Sequence, residues 1–145
     1  MATSNAATTY LENKILSFIF KNNAGSFATP GNSIYVGLAT GSPSAADRDA
    51  GTLTEATFGS YARQQVTAAN WTLTSASDDT QTIKNSANIE FPASTGTTNT
   101  VTIAFIADAA TSGNILFVGE LDASKTIATG DVFRINTNNL TIELK

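Results

Sequence analysis

Few residue types in this chain could start a reaction. Histidine and cysteine are both absent from its 145 residues. That removes the commonest general base, thiol nucleophiles, thiolate metal sites and disulfides. Carboxylates remain. Glu55, Glu90, Asp108, Glu120, Asp122 and Asp131 are the acidic candidates, and a suitably spaced pair, such as Glu90 with Asp108, would be needed to hydrolyse a glycosidic bond. Asp108, Glu120, Asp122 and Asp131 sit in or beside turn-like sequence, where short acids bond to nearby backbone instead. No Gly-x-Ser-x-Gly elbow and no Walker loop occurs. The chain therefore reads as non-enzymatic, with no catalytic residue assigned.

Oxygen ligands for calcium are the next chemistry to consider. Asp47 with Asp49, and Asp78 with Asp79, are the two clusters. Neither has the spacing of an EF-hand loop, and Arg48 separates the first pair. No metal and no cofactor is expected. Asn70-Trp71-Thr72 and Asn139-Leu140-Thr141 match the glycosylation acceptor pattern. Without cysteines or a leader-like start, they read as accidents of an Asn- and Thr-rich composition. Trp71 has two readings: an aromatic platform for a sugar, or a core residue of a β domain.

Composition narrows the classes further. Only 14% of residues are charged, against roughly 25% in average soluble domains. The net charge is −4, and no cluster of Lys and Arg occurs, so no nucleic-acid partner is expected. The 41% apolar content argues for a folded core. The apolar run Ile15 to Phe20 is too short to span a bilayer, so no membrane partner is expected. The segment Met1 to Thr9 carries no Lys or Arg, unlike a secretory leader.

These residues need elements to hold them. Residues 1–8 read as an extended N-terminal arm and residues 9–145 as a single domain. Thr9 and Glu12 have the spacing of a capping box opening a helix over 9–22. Leu11, Ile15, Phe18 and Ile19 fall on one face of it, widened by Leu16 and Phe20, and Gly25 offers a left-handed stop. A stripe that wide must lie against a sheet or a neighbouring chain.

From residue 33 onward the period is two. Ile34, Val36 and Leu38 alternate with Tyr35, Gly37 and Ala39. Thr40 to Phe58 has no sustained period and reads as a long loop, which is usually functional. Further strands are expected at Tyr61–Thr67, Trp71–Thr74, Thr82–Asn85 and Ala87–Phe91. The clearest follow at Val101–Phe105, Ile115–Gly119, Val132–Ile135 and Leu140–Leu144. Turns are expected at Ser75–Thr80, Asp108–Gly113, Asp122–Lys125, Gly130-Asp131 and Asn136–Asn139. The fold class expected is mainly β: an antiparallel β-sandwich, jelly-roll-like, over 33–145, with one N-terminal α-helix. The residues best placed for an assembly interface are Thr8, Tyr10, Leu11, Ile15, Phe18 and Ile19, with Leu140 and Ile142 on a last strand that is either an exposed edge or internal.

The order of segments carries a resemblance. Tyr10-Leu-Glu-Asn-Lys-Ile-Leu, Ile34-Tyr-Val-Gly-Leu-Ala-Thr-Gly-Ser-Pro43, Tyr61-Ala-Arg-Gln with Trp71, and Asn88-Ile-Glu-Phe-Pro92 come first. Ala107-Asp-Ala-Ala, Gly113-Asn-Ile-Leu-Phe-Val-Gly119, Lys125-Thr-Ile and Thr129-Gly-Asp131 close the chain. From about Thr8 onward the sequence resembles a family of small tailed-bacteriophage virion proteins, variously labelled tail-fibre-like or head-decoration proteins. Its motifs are structural and bring no catalytic residues. The resemblance implies a virion component without enzymatic activity. The expectation it favours is a capsid decoration, or cement, protein on the outer capsid surface, a homotrimer that binds the major capsid protein. The alternative is a tail, tail-fibre or baseplate component that touches host glycans through Trp71 and the Thr40–Phe58 loop.

Overall fold

A computed structural model of the protein describes residues 6–21, 34–75 and 81–144. Met1–Asn5, the Gly25 helix stop and the Asp78-Asp79 turn lie outside the described residues. The period-two segments build a central antiparallel sheet from β2 (Tyr35–Thr40), β8 (Asn99–Ala107) and β9 (Ile115–Ile127). Successive side chains of a strand point to opposite faces, and the register aligns like with like. Val36 faces Ile106 and Leu38 faces Ala104 across one pair, and Phe117 continues that face on β9. Gly37 with Phe105, Ala39 with Ile103, and Val118 lie on the other face. The short strands β1 (Ala6–Ala7), β3 (Thr54–Glu55) and β4 (Gln64–Gln65) complete a six-stranded sheet.

The first face carries the main core. Val36, Leu38 and Ala104 pack with Phe58, Val66 and Phe91. Burying a side chain of this size contributes roughly 1.5–3 kcal/mol relative to leaving it in water. The opposing layer is split. β7 (Ile89–Glu90) pairs with β10 (Arg134–Ile135), while β5 (Trp71–Ser75), β6 (Gln81–Asn85) and β11 (Thr141–Leu144) form a separate sheet in the order β11-β6-β5. Every strand pair among the described residues is antiparallel. The expected mainly β, sandwich-like architecture is present, and β11 is an edge.

The second face is covered by helices. α1 (Thr9–Phe20) lies against β9, and α2 (Ala45–Ala50) lies beside α1. Ala39, Ile103, Phe105, Ala107 and Val118 form a second cluster here, with Leu53 and Ile115 against it.

Four expectations are corrected. The helix cap is Thr8, one residue earlier than expected: its hydroxyl accepts the Leu11 N–H. Thr9 instead donates its hydroxyl to Asp49 of α2. The Thr40–Phe58 segment is not a loop throughout. Ser44 and Asp47 make a reciprocal capping box that starts α2, and Gly51 ends it at φ 70°, a conformation costly for any residue with a Cβ. That box was hidden because the six-residue helix buries no side chain and so shows no apolar period. Tyr61–Thr67 is a strand only at Gln64–Gln65, because Tyr61 leaves the sheet for the core. The Asp122–Lys125 turn falls inside one continuous β9. Val101 faces Lys125 while Ile103 faces Glu120, so residues 121–124 stand opposite Thr102 alone. The turn-forming residues make a bulge rather than a reversal.

Candidate functional site

Two surfaces gather the residues that the sequence singles out. The first is α1. Thr8 is buried and occupied within its own chain, donating its hydroxyl to the Ile115 carbonyl at 2.7 Å. Leu11 is buried beneath the helix and Ile15 is half-buried. Leu16, Ile19 and Phe20 share the outer face at spacings of three and four and are 55%, 62% and 78% exposed. Phe18 is exposed as well. The helix is thus apolar on two sides, and the sheet covers only one of them. Leu140 packs on the main core, and Leu140 and Ile142 line a cleft of mixed chemistry with Phe117, Phe133, Glu120 and Arg134.

The second surface is a cavity of about 300 Å3 between α2, the β3 strand and the Asp108–Asn114 turn. Residues Ala50, Gly51, Leu53 and Glu55 of the Thr40–Phe58 segment line it, with Tyr10, Arg63 and Phe105. Its framework is a polar clamp. Arg63 donates from Nε and Nη2 to the two carboxylate oxygens of Glu55, each at 2.8 Å. Its Nη1 donates to the carbonyls of Ala109 and Ser112. Tyr61 donates its hydroxyl to the same carboxylate and accepts the Leu38 N–H. The guanidinium carbon stands 5.0 Å from the Phe105 ring centroid.

The electrostatics follow from this packing. Burial alone would push the Glu55 carboxyl upward, but the Arg63 guanidinium and the Tyr61 hydroxyl outweigh it and hold the group below its ordinary value. The bond to Glu55 raises Arg63, against the opposing effect of burial. Burial, aided by the Glu55 charge, raises the Tyr61 phenol well above its usual range. At neutral pH the clamp is a carboxylate, a guanidinium and a neutral phenol.

Most of the other acidic candidates have structural partners. Glu90 pairs with Arg134, and Glu120 with Arg48. Asp108 accepts from the backbone and side chain of Asn114. Asp131 accepts the Ala128 N–H. Asp47 is spent in the α2 cap, and Asp49 on Thr9. Among the described residues no group of three or more acidic side chains is placed to hold a metal ion. Trp71 is half-buried in β5, packed against the main core and outside the cavity lining. The Glu55–Arg63 clamp was missed because the seven residues between the two hide a contact made only in the folded chain. The Tyr61-Ala-Arg sequence was its one visible signal.

The family model described as podophage GP4 fiber I protein gp80 matches residues 6–143. The chain belongs to this family. It is therefore a member of a tail-fibre-like family of phage virion proteins, which agrees with the resemblance carried by its own segments. The match spans α1, both surfaces described above and all but the last residue of β11. No curated protein matches the chain.

Proposed function

We propose that this protein is a non-enzymatic structural component of a phage tail or tail fibre. Its work is assembly, with other copies of itself or with neighbouring virion chains. The observation that carries the reading is the fibre-family match over residues 6–143. The outer face of α1 supports it, because large apolar side chains grouped on a surface mark interaction sites. Weak surface charge fits as well: interfaces built from apolar and backbone contacts lose little to salt screening.

The head-decoration reading, in which trimers bind the major capsid protein, draws on the same helix and the same composition. It has less support, because the family description names a fibre. Immunogold labelling of intact particles with an antibody to this protein separates the two. Label on the tail or its fibres is the expected result. Label confined to the outer capsid surface overturns the proposal in favour of decoration.

A further inference from the structure

We propose that the open edge of β5 pairs antiparallel with β5 of a second copy of this chain, about a two-fold axis at Leu73. The sheet β11-β6-β5 has β5 at one edge, and among the described residues no strand lies outside it. Natural proteins blunt such edges with charge, proline or bulges, because unpaired N–H and C=O groups recruit other strands. β5 has none of these devices. It reads Trp71-Thr-Leu-Thr-Ser75 and pairs with β6 without a register shift. β11, the opposite edge, carries Glu143.

The backbone turns the required groups outward. The Ser86 N–H bonds to the Asn70 carbonyl, and the Asn85 N–H bonds to the Leu140 carbonyl. Bonded and non-bonded pairs alternate along an antiparallel ladder. Thr82 and Lys84 therefore bond to β5, and Ile83 bonds to β11. Leu73 stands opposite Ile83, so its own N–H and C=O face the open side. A two-fold axis at Leu73 sets these groups against the same groups of the second copy, donor to acceptor in both directions.

The side chains are self-complementary. Thr72 and Thr74 flank Leu73 symmetrically and are exposed. The axis sets Thr72 of each copy against Thr74 of the other, and cross-strand threonines pair by hydrogen bonds. Leu73 is 71% exposed, and the axis covers it with its own copy. Ile83 lies between Leu73 and Ile142 in the register, so one apolar row runs through Ile142, Ile83 and Leu73 of both chains. On the other face, the same register places Lys84 of one copy in a row with Glu143 of the other. No like charges meet across the seam, because β5 is uncharged. An edge of 5 residues belongs to the weak class of interfaces, below about 1,200 Å2. Copies held together in one assembly offset this through effective concentration. The inference rests on the assembly reading and names a surface and a partner for it.

The chain has no cysteine, so a single introduced thiol can form a disulfide only with a second copy. Opposed Cα atoms of a bonded antiparallel pair lie about 5.5 Å apart, within disulfide reach. Leu73→Cys, oxidised at chain concentrations on the order of 1 mM, should therefore give a covalent dimer. It should form about tenfold faster than from Phe20→Cys, which reports random collision and any pairing through α1. Sedimentation equilibrium of the parent over the same range should show a reversible dimer. Leu73→Lys sets like charges against each other and should weaken that dimer about tenfold. Its thermal melt at low concentration should match the parent, because the side chain is exposed within its own chain. A parent that stays monomeric, or forms trimers, overturns the proposal. So does cross-linking at Leu73 no faster than at Phe20, or a dimer that survives Leu73→Lys. Immunogold label on the tail alongside any of these results leaves the fibre reading standing, so the two failures are distinguishable.

Discussion

The ring of Phe105 lies across the backbone of Gly37, its register partner on the neighbouring strand. A Cβ added at Gly37 would stand 2.2 Å from Phe105 Cζ and within 2.7 Å of two further ring atoms. The glycine is required by the close approach of the ring, and the ring in turn forms the floor on which Arg63 rests. Gly37→Ala should therefore destabilise the protein by about 1–3 kcal/mol, the range for overpacking a filled core. Chemical denaturation would measure it. Adding Phe105→Leu to Gly37→Ala should recover part of that loss, because the two residues are in contact and their effects do not add.

Removing Arg63 leaves the Glu55 carboxylate partly buried without its cation. Arg63→Met should cost about 2–4 kcal/mol, less than a fully buried pair because Glu55 is still about one-third exposed. Glu55→Gln should cost less, since the amide oxygen in place of Oε1 still accepts from Tyr61 and Arg63 Nε, and only the bond from Arg63 Nη2 is lost. Urea titrations of the two variants would rank them.

The same clamp sets a pH dependence. Glu55 is held below its ordinary value of 4.5 in the folded chain. Its contribution is therefore fully present above that value and is lost as pH falls through the lower folded value. The melting temperature of the parent should exceed that of Glu55→Gln at pH 7, and the gap should narrow steadily below about pH 4.5. A gap that widens on acidification would contradict the assignment.

Asn85 is fully buried and its carboxamide fastens the second layer. The amide donates to the carbonyls of Ala87 and Asn136 and accepts the Leu140 N–H. Asn85→Ala strands three backbone groups at once and should destabilise by about 3 kcal/mol or more. Asn85→Asp should fare little better, because an ionised carboxylate cannot donate to the two carbonyls. Thermal melts of both variants would check this.

Thr8 joins α1 to the sheet by capping the helix and bonding to Ile115. Thr8→Val keeps the shape and removes both bonds, at an expected cost of about 1–2 kcal/mol. Thr8→Ser should retain most of the stability. Faster hydrogen exchange in α1 of Thr8→Val, with the β8 and β9 amides still protected, would show that the helix loosens locally.

Much of this protein was legible in its sequence. The alternation of Val36 and Leu38 with Gly37 and Ala39, and of Val101, Ile103 and Phe105 with their neighbours, announced a β domain with buried strands. The stripe on α1 announced a helix with more apolar surface than one sheet could cover. Both are local periodicities, visible wherever backbone geometry repeats. The segment order was enough to point to phage virion proteins.

Other features depend on contacts between distant residues. α2 was hidden because it buries no side chain, so its only signals are a cap and a glycine stop. The bulge in β9 looked like a turn because its residues favour both, and only pairing with β8 decides between them. Thr8, picked from the sequence as an interface residue, bonds to Ile115 because β1 and β9 bring the two together. The absence of His and Cys was plain from the sequence alone and removed imidazole and thiol chemistry. Tertiary structure alone decided that Glu55 would meet Arg63, and so made this carboxylate half of a neutral clamp.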